Sequence, residues 1–272
     1  MCDAHVIATV KQRLLSRRSF LSTAPALAAA STLAAAPLAQ ARGGPQKVVD
    51  LTHTLTENFP TFGRDRAVSL KQRSTFDRDG QSSFYVTLNE HAGTHIDAPF
   101  HFSPDGMTVD QIPVGQLVCP LVVIDVSSRA GRNPDTAVTP DDLKAWRARN
   151  GDFPPGCCVA MYSGWERRAN SNRRFRNADE DGVMHFPGFH GEAAKMLLEE
   201  SSAVGLATDT LSIDIGASTR FEVHYTWLGA GRWGLEGVAN LGELPSKGAI
   251  MIVGAPVWEG GSGGPSRVMA LV

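Results

Sequence analysis

The sequence predicts one α/β domain built around a mixed β-sheet. Short apolar runs of strand length alternate along the chain with segments of helical pattern, which is typical of α/β proteins. No internal repeat and no run rich in proline and serine divides the chain. Because 272 residues with 42% hydrophobic content suffice for one large core, we expect a single domain over residues 42–272.

Strands are predicted where apolar residues run continuously or alternate with polar ones. Leu121–Val126 and Cys157–Tyr162 are continuous apolar runs, which indicates buried strands. Val48–Leu55 and Phe84–Glu90 alternate and are predicted as the first two strands. The strands expected to close the sheet are Ala203–Ala207, Ala249–Val253 and Val268–Val272.

Two helices are predicted between these strands. Thr139-Pro140 starts the first helix, with threonine as N-cap, proline at the first position and acidic residues in the first turn. This helix is expected to end near Arg149. Gly191–Ser201 has the apolar spacing of an amphipathic helix. The polar stretch Glu166–Asp181 is predicted to be an exposed loop.

Residues 1–41 have the pattern of a targeting segment. Paired arginines in Ser16–Leu21 precede an alanine-rich apolar run over Thr23–Leu38, and Ala39–Ala41 supplies a small-x-small cleavage site. The apolar run is too short and too small-sided for a stable membrane span. We therefore expect a twin-arginine signal peptide, export of the folded chain and a periplasmic location, without stable membrane insertion.

Charge and cysteine content exclude further classes of protein. The net charge is −2 and no basic run follows the amino terminus, so a nucleic-acid partner is not expected. After removal of residues 1–41 the chain keeps Cys119, Cys157 and Cys158, and three cysteines cannot form a closed disulfide framework. Their spacing is not that of a zinc site, so we expect buried free thiols.

The segment from His91 to Phe102 concentrates chemically active side chains. It reads HAGTHIDAPFHF and carries three histidines and one aspartate, His91, His95, His101 and Asp97. Imidazole and carboxylate groups together are the preferred ligands of zinc, manganese and ferrous iron. Gly93 and Pro99 disfavour a helix, so we expect a strand end that turns sharply and lets side chains converge. A metal or catalytic site is the favoured interpretation, and a hydrogen-bonded structural turn is the alternative.

Several segments resemble one known family. His91–His101 is similar to the H-x-G-T-H-x-D-x-P-x-H signature of the cyclase family, which includes bacterial kynurenine formamidases and isatin hydrolases. The fixed positions of that signature are all met. Similar stretches extend over nearly all of Val48–Val272, and they are Asp50–His53, Ser163–Trp165, Thr208–Asp214 and Gly261–Arg267.

The resemblance implies a fold, a cofactor and an assembly. The family's fold is a swivelling β/β/α domain, typically found in dimers or larger assemblies, so a homodimer or homotetramer is expected. The resemblance implies that His91, His95 and Asp97 bind one divalent metal and that His224 and Glu236 complete a second position. On sequence alone, His224 and Glu236 would be ordinary surface residues. Because the isatin hydrolase branch tends to lack the second acidic ligand, Glu236 favours two ions per chain, zinc or manganese.

The resemblance also implies hydrolysis of an amide in a small-molecule substrate, with His101 transferring a proton. An aryl formamide such as N-formylkynurenine is the first expectation, and opening of a cyclic amide such as isatin, or of a lactone, is the second. A non-catalytic periplasmic protein that binds a metal or ligand is the alternative from another class. Phe59, Phe62 and Trp165, with Trp227 as a further candidate, could hold an aryl group, although each could equally pack in the core.

Overall fold

The computed structural model describes residues 47–63 and 65–272. The predicted signal peptide at residues 1–41 lies outside the described residues. Among the helices within the described ranges, none combines the length and the apolar character that a membrane crossing requires.

The part of the chain that the structure describes contains thirteen strands, named in chain order. They are β1 Val48–Asp50, β2 Val68–Ser74, β3 Ser83–Leu88, β4 His95–Asp97, β5 Val118–Asp125, β6 Ala137–Val138, β7 Cys158–Tyr162, β8 Gly188–Phe189, β9 Gly205–Thr208, β10 Trp233–Glu236, β11 Ala249–Gly254, β12 Gly263–Pro265 and β13 Arg267–Leu271.

Within the described ranges, six α-helices accompany the strands. They are α1 Phe76–Asp79, α2 Ser127–Ala130, α3 Pro140–Asn150, α4 Asn172–Arg176, α5 Gly191–Glu200 and α6 Glu222–Gly229. Short 3-10 turns occur at Pro99–His101, Val109–Gln111, Val114–Gln116, Trp165–Arg168 and Leu241–Glu243.

The nine-stranded main sheet is mixed, as predicted. Its order is β1-β13-β11-β5-β7-β9-β10-β4-β12. Strands β5, β7, β9 and β10 run parallel to their neighbours within this group and form the centre. Antiparallel strands continue the sheet on both sides, β11 next to β5 and β4 next to β10. The fold class expected from the sequence is confirmed.

The central strands bury both of their faces. Leu121, Val123 and Ala160 belong to one core cluster, together with residues of β10 and β11. The intervening Val122 and Val159 belong to a second cluster, which packs against α3, α5 and α6. Because side chains alternate between the faces of a strand, two apolar layers require the continuous apolar runs seen in the sequence.

Residues 70–87 form one compact unit, and residues 47–63, 65–69 and 88–272 belong to another. The first unit contains α1 and most of the β2–β3 hairpin, in which the hydroxyl oxygens of Ser74 and Ser83 lie 2.6 Å apart. The sequence predicts Phe84–Glu90 as a strand, and β3 confirms this over Ser83–Leu88. However, β3 pairs with β2 and not with the main sheet.

Other local predictions have mixed outcomes. Helix α3 begins after Thr139 as predicted, and the Asp142 carboxylate accepts a hydrogen bond from the Thr139 N–H at 2.8 Å. The three cysteines are buried and free, and burial raises the pKa of Cys119 to about 12. The prediction of an exposed loop over Glu166–Asp181 was wrong in part, since helix α4 forms there and Phe175 is buried.

The buried carboxylate of Asp209 fixes the turn after β7. It accepts hydrogen bonds from the Ser163 hydroxyl at 2.6 Å and from the Trp165 N–H at 3.0 Å, as well as from the Ser163 N–H. Gly164 has φ +73°, a left-handed conformation that glycine adopts without strain. The Ser163–Trp165 stretch is therefore a turn held by a carboxylate from the end of β9.

We expect Asp209→Ala to lower the free energy of unfolding by about 3 kcal/mol, because several buried donors would lose their acceptor. Chemical denaturation of the variant measures this loss. Asp181→Ala, at an exposed position, is the control and should change the free energy by less than about 0.5 kcal/mol. Equal stability of the two variants would contradict the structural role of Asp209.

Candidate metal centre

Strand β4 brings two of the predicted ligands to one face of the sheet. His95 and Asp97 stand two residues apart, so their side chains share a face, while Ile96 points into the first core cluster. The pairing of β4 with β10 places His95 directly opposite Glu236. Strand β4 and its pairing with β10 thus bring His95, Asp97 and Glu236 together, and all three are buried.

The turns on either side of β4 add the other two histidines of the segment. Gly93 has φ +71°, and a Cβ there would come within 2.7 Å of Leu55. This confirms the sharp turn that was predicted between His91 and His95. After β4, the 3-10 turn Pro99–His101 folds His101 back, and its ring stacks on that of His91 with a centroid separation of 3.8 Å.

Helix α6 supplies His224. The Asp214 carboxylate accepts hydrogen bonds from the N–H groups of Val223 and His224, and it pairs with His224 Nδ1 at 2.6 Å. These contacts direct His224 Nε2 towards the cluster, where it lies 3.1 Å from Glu236 Oε1 and 3.7 Å from Asp97 Oδ2. Asp214 therefore sets both the start of α6 and the orientation of this imidazole.

The other four predicted ligands lie around the Asp97 carboxylate. His91 Nδ1 lies 2.7 Å from Asp97 Oδ1, and His95 Nε2 lies 3.4 Å from the same oxygen and 3.4 Å from Glu236 Oε2. The candidate donors form two sets, His91–Asp97–His101 and His95–Asp97–Glu236. Within each set, the donor atoms lie within 4.8 Å of one another. The structure thus places His101 among the donors, beside the five residues expected to bind metal.

The donors fit a divalent cation. Among the described residues, His95 Nε2 and Asp97 Oδ2 are buried and make no hydrogen bond, while groups of opposite charge lie 3.4–3.7 Å away. An unpartnered buried polar atom costs free energy, and a cation between imidazole and carboxylate groups would remove that cost. Neutral imidazole and carboxylate are the ligands that zinc and manganese accept.

Charge interactions shift the pKa values of the cluster. Burial lowers the pKa of His95, but the carboxylates of Asp97 and Glu236 outweigh this effect and raise it to about 10. Burial also lowers the pKa of His224, and its three carboxylate neighbours raise it well above the usual value. His101 lacks such close carboxylate contacts, and burial lowers its pKa to about 4.

A cavity of about 290 Å³ opens above this polar floor. Phe62, Phe102 and Phe221 line it, and the ring of Phe221 lies 5.9 Å from Phe62 and 5.6 Å from Phe102. Phe221 has φ +49° and directly precedes α6. Phe102 and Phe221 were missed by the sequence interpretation. Their nearness along the chain to His101 and His224 was the available signal.

The other predicted aromatic residues lie in the core and not on the cavity wall. Phe59 is 7% exposed and packs edge-on against Phe175. Trp165 is buried, and its Nε1–H donates to the Phe175 carbonyl at 2.8 Å. Trp227 is likewise buried, with its Nε1–H bonded to the Trp233 carbonyl. Their large apolar rings fill the interior, so of the predicted pocket residues Phe62 alone lines this cavity.

The domain thus brings buried imidazole and carboxylate groups together beneath an aromatic cavity. These side chains are candidate metal-binding groups. The Cyclase family model matches residues 49–215. The chain belongs to the cyclase family and is an enzyme of the hydrolase class.

Relatives of known name support this assignment. Isatin hydrolase from Roseibium aggregatum is 36% identical over 247 residues, which cover 84% of this chain and 93% of that protein. The crystal structure of an isatin hydrolase bound to the product analogue thioisatinate superposes with a TM-score of 0.79 at 31% identity, covering 100% of this chain and 99% of the other. Kynurenine formamidase from Bacillus cytotoxicus is 37% identical over 81 residues, 29% of this chain and 39% of that protein.

We expect the affinity for Zn²⁺ to rise between pH 6 and pH 8. The raised pKa values keep protons on His95 and His224, and a cation must displace them. The association constant should therefore increase about tenfold per pH unit for each proton released. Isothermal titration calorimetry in two buffers of different ionisation enthalpy counts those protons. An affinity that does not change with pH would contradict this account of the cluster.

Proposed function

We propose that this enzyme hydrolyses the C–N bond of a cyclic amide joined to an aromatic ring, as in isatin, with the help of a divalent metal. The observation that carries the proposal is a pair of buried atoms, His95 Nε2 and Asp97 Oδ2, that make no hydrogen bond within the described part of the chain and lie at the floor of a cavity walled by phenylalanines. The floor suits a cation, and the wall suits a small aromatic molecule.

The extent of the similarity supports a cyclic substrate over an open-chain one. Similarity to isatin hydrolase extends over 84% of the chain, whereas similarity to kynurenine formamidase is limited to 29%. This reverses the order expected from the sequence, where an aryl formamide came first. Hydrolysis of an aryl formamide such as N-formylkynurenine stays the second candidate, because the buried donor cluster would serve either amide.

Five side chains are proposed to hold the metal, and His101 lies beside them as the proton acceptor. Asp97 belongs to both donor sets and Glu236 to one of them, which supports the proposal of two ions, zinc or manganese. The proposed ligands are His91, His95, Asp97, His224 and Glu236. When bound, a divalent metal acts as a Lewis acid that activates water and polarises a carbonyl group.

The chain's own residues supply binding and proton transfer. Phe62, Phe102 and Phe221 offer ring faces and edges to an aryl substrate. His101 lines the same cavity, and its lowered pKa keeps the imidazole neutral at pH 7, so that a ring nitrogen can accept a proton. The contact with Asp214 keeps His224 directed at Glu236.

The cellular setting follows from the sequence and stays a prediction. The twin-arginine pattern at residues 1–41 predicts export to the periplasm, which osmotic-shock fractionation would test. Assembly into a homodimer or homotetramer is equally a prediction, and sedimentation equilibrium would test it.

We expect protein loaded with Zn²⁺ or Mn²⁺ to open isatin and to lose this activity on treatment with a chelator. Absorbance of isatin follows the reaction, and N-formylkynurenine is assayed in parallel. Faster cleavage of the formamide would support the second candidate. Metal binding without turnover of either compound would favour the alternative of a non-catalytic binding protein.

We expect His101→Ala to retain metal and to lower kcat by about 10²–10⁴-fold, the usual contribution of a general acid or base. Metal content by plasma mass spectrometry and kcat are measured on the same sample. His190→Ala, at an exposed histidine, is the control and should keep both values. If metal content falls together with kcat, His101 is a ligand, consistent with its place beside His91 and Asp97.

A further inference from the structure

The carboxy-terminal segment Gly261–Arg267, which the proposed chemistry does not use, contacts a candidate ligand directly. Ser262 Oγ lies 2.9 Å from His91 Nε2. The same hydroxyl donates a hydrogen bond to Glu90 Oε2 at 2.6 Å. Glu90 Oε1 in turn accepts from Trp258 Nε1–H at 3.0 Å. A connected set of polar contacts therefore runs from Trp258 through Glu90 and Ser262 to His91.

The single hydroxyl proton of Ser262 defines the role of His91 Nε2. Because Ser262 donates its proton to Glu90, its oxygen can only accept at the contact with His91. His91 Nε2 must then carry a hydrogen and donate it. The other nitrogen, Nδ1, faces Asp97 at 2.7 Å, on the side of the donor cluster. The hydrogen-bond pattern thus makes Nδ1 the nitrogen that a cation would bind, in place of its present contact with Asp97.

Close backbone packing fixes the position of the Ser262 hydroxyl. The Ser262 carbonyl accepts from the Ala98 N–H at 2.9 Å, and β12 pairs with β4 directly after it. A Cβ on Gly263 would lie 2.3 Å from the Ile96 carbonyl oxygen and 2.9 Å from His91 Cε1. A residue with a side chain does not fit at 263, so the segment approaches β4 as closely as a backbone can.

His91 is therefore held from three directions. Ser262 contacts one ring nitrogen, Asp97 contacts the other, and the His101 ring stacks on its face. His91 is also more exposed than His95 and His224, with 22% of its side chain accessible against 5% and 4%. Of these contacts, the one to Ser262 is directed away from the donor cluster, so it can orient the ring without competing for the cation.

We propose that Ser262, supported by Glu90, is a positioning residue for His91. It keeps the hydrogen on Nε2 and the ring plane fixed, so that Nδ1 is presented to a divalent cation before the cation arrives. Outer hydrogen-bond partners of this kind fix the tautomer of a metal-binding histidine and strengthen binding. The inference rests on the proposed function, in that it takes His91 as a ligand.

The test compares two serines of the same segment. Ser262→Ala removes the contact to His91, and we expect it to weaken Zn²⁺ binding about 10–100-fold. Ser266→Ala is the matched control, since Ser266 is buried and its hydroxyl bonds the Gly264 carbonyl and not a histidine. Competition with a chromophoric chelator gives the affinities, and thermal unfolding of the metal-free proteins shows whether either variant has lost stability.

Two further variants separate positioning from a general packing effect. Ser262→Thr keeps a hydroxyl and should restore affinity to within about threefold of the unsubstituted protein, while Glu90→Gln should weaken binding less than Ser262→Ala. Imidazole nitrogen–proton NMR of the zinc-loaded protein should show His91 with its hydrogen on Nε2, and Ser262→Ala should lose or broaden that signal.

The outcomes distinguish this inference from the proposed function. If the unsubstituted protein binds no metal, the proposed function fails, and this inference fails with it. If it binds metal and Ser262→Ala binds equally well, the positioning role is overturned while the proposed function stands. Equal weakening by Ser262→Ala and Ser266→Ala, with equal loss of thermal stability, would assign Ser262 a structural role only.

Discussion

The buried carboxylate of Asp97 is the constraint on which this domain depends. It is fully buried, and the rings of His91, His95 and His224 surround it. Burial raises the pKa of Asp97, but the charge of His95 and the nearby ring nitrogens of His224 and His91 outweigh this and hold it well below its usual value. An unpaired charge at this depth would cost several kcal/mol. The segments that carry these histidines must therefore be fixed relative to β4.

Strand β4 achieves this through its two neighbours in the sheet. On one side β10 brings Glu236 opposite His95, and on the other β12 brings the segment with Ser262 against His91. Both contacts require backbones to approach closely. Gly237, with φ +60°, lies where a Cβ would be 2.5 Å from the Gly93 carbonyl oxygen. The glycines around β4 are thus needed for the close backbone approach that brings the candidate ligands together, and not only for the turns.

The polar floor and the aromatic wall of the cavity come from the same short segments. His101 is followed by Phe102, and Phe221 stands three residues before His224. Asp214 joins the two functions, because it accepts the first N–H groups of α6 and holds His224 with the same carboxylate. A change in this helix start would therefore move a candidate ligand and a wall residue together.

Local sequence patterns determined those parts of the fold whose physics is local. Leu121–Val126 and Cys157–Tyr162 have enough continuous apolar residues to identify buried strands, and Thr139-Pro140 has the chemistry of a helix start. Helix α6 and strand β10 escaped detection, because glycines and tryptophans in this stretch obscure any apolar period. Burial and long-range pairing stabilise these elements, and a sequence window contains neither.

The candidate site divides in the same way. The spacing of His91, His95, Asp97 and His101 around Gly93 and Pro99 identified a metal or catalytic centre without any tertiary information. The family resemblance added His224 and Glu236, which the sequence pattern alone would have left as surface residues. The tertiary structure decided that Phe59 and Trp165 fill the core, that Asp214 orients His224, and that Ser262 reaches His91. These outcomes depend on strand register and on which side of the sheet a ring packs, and both are set by contacts between residues far apart in the chain.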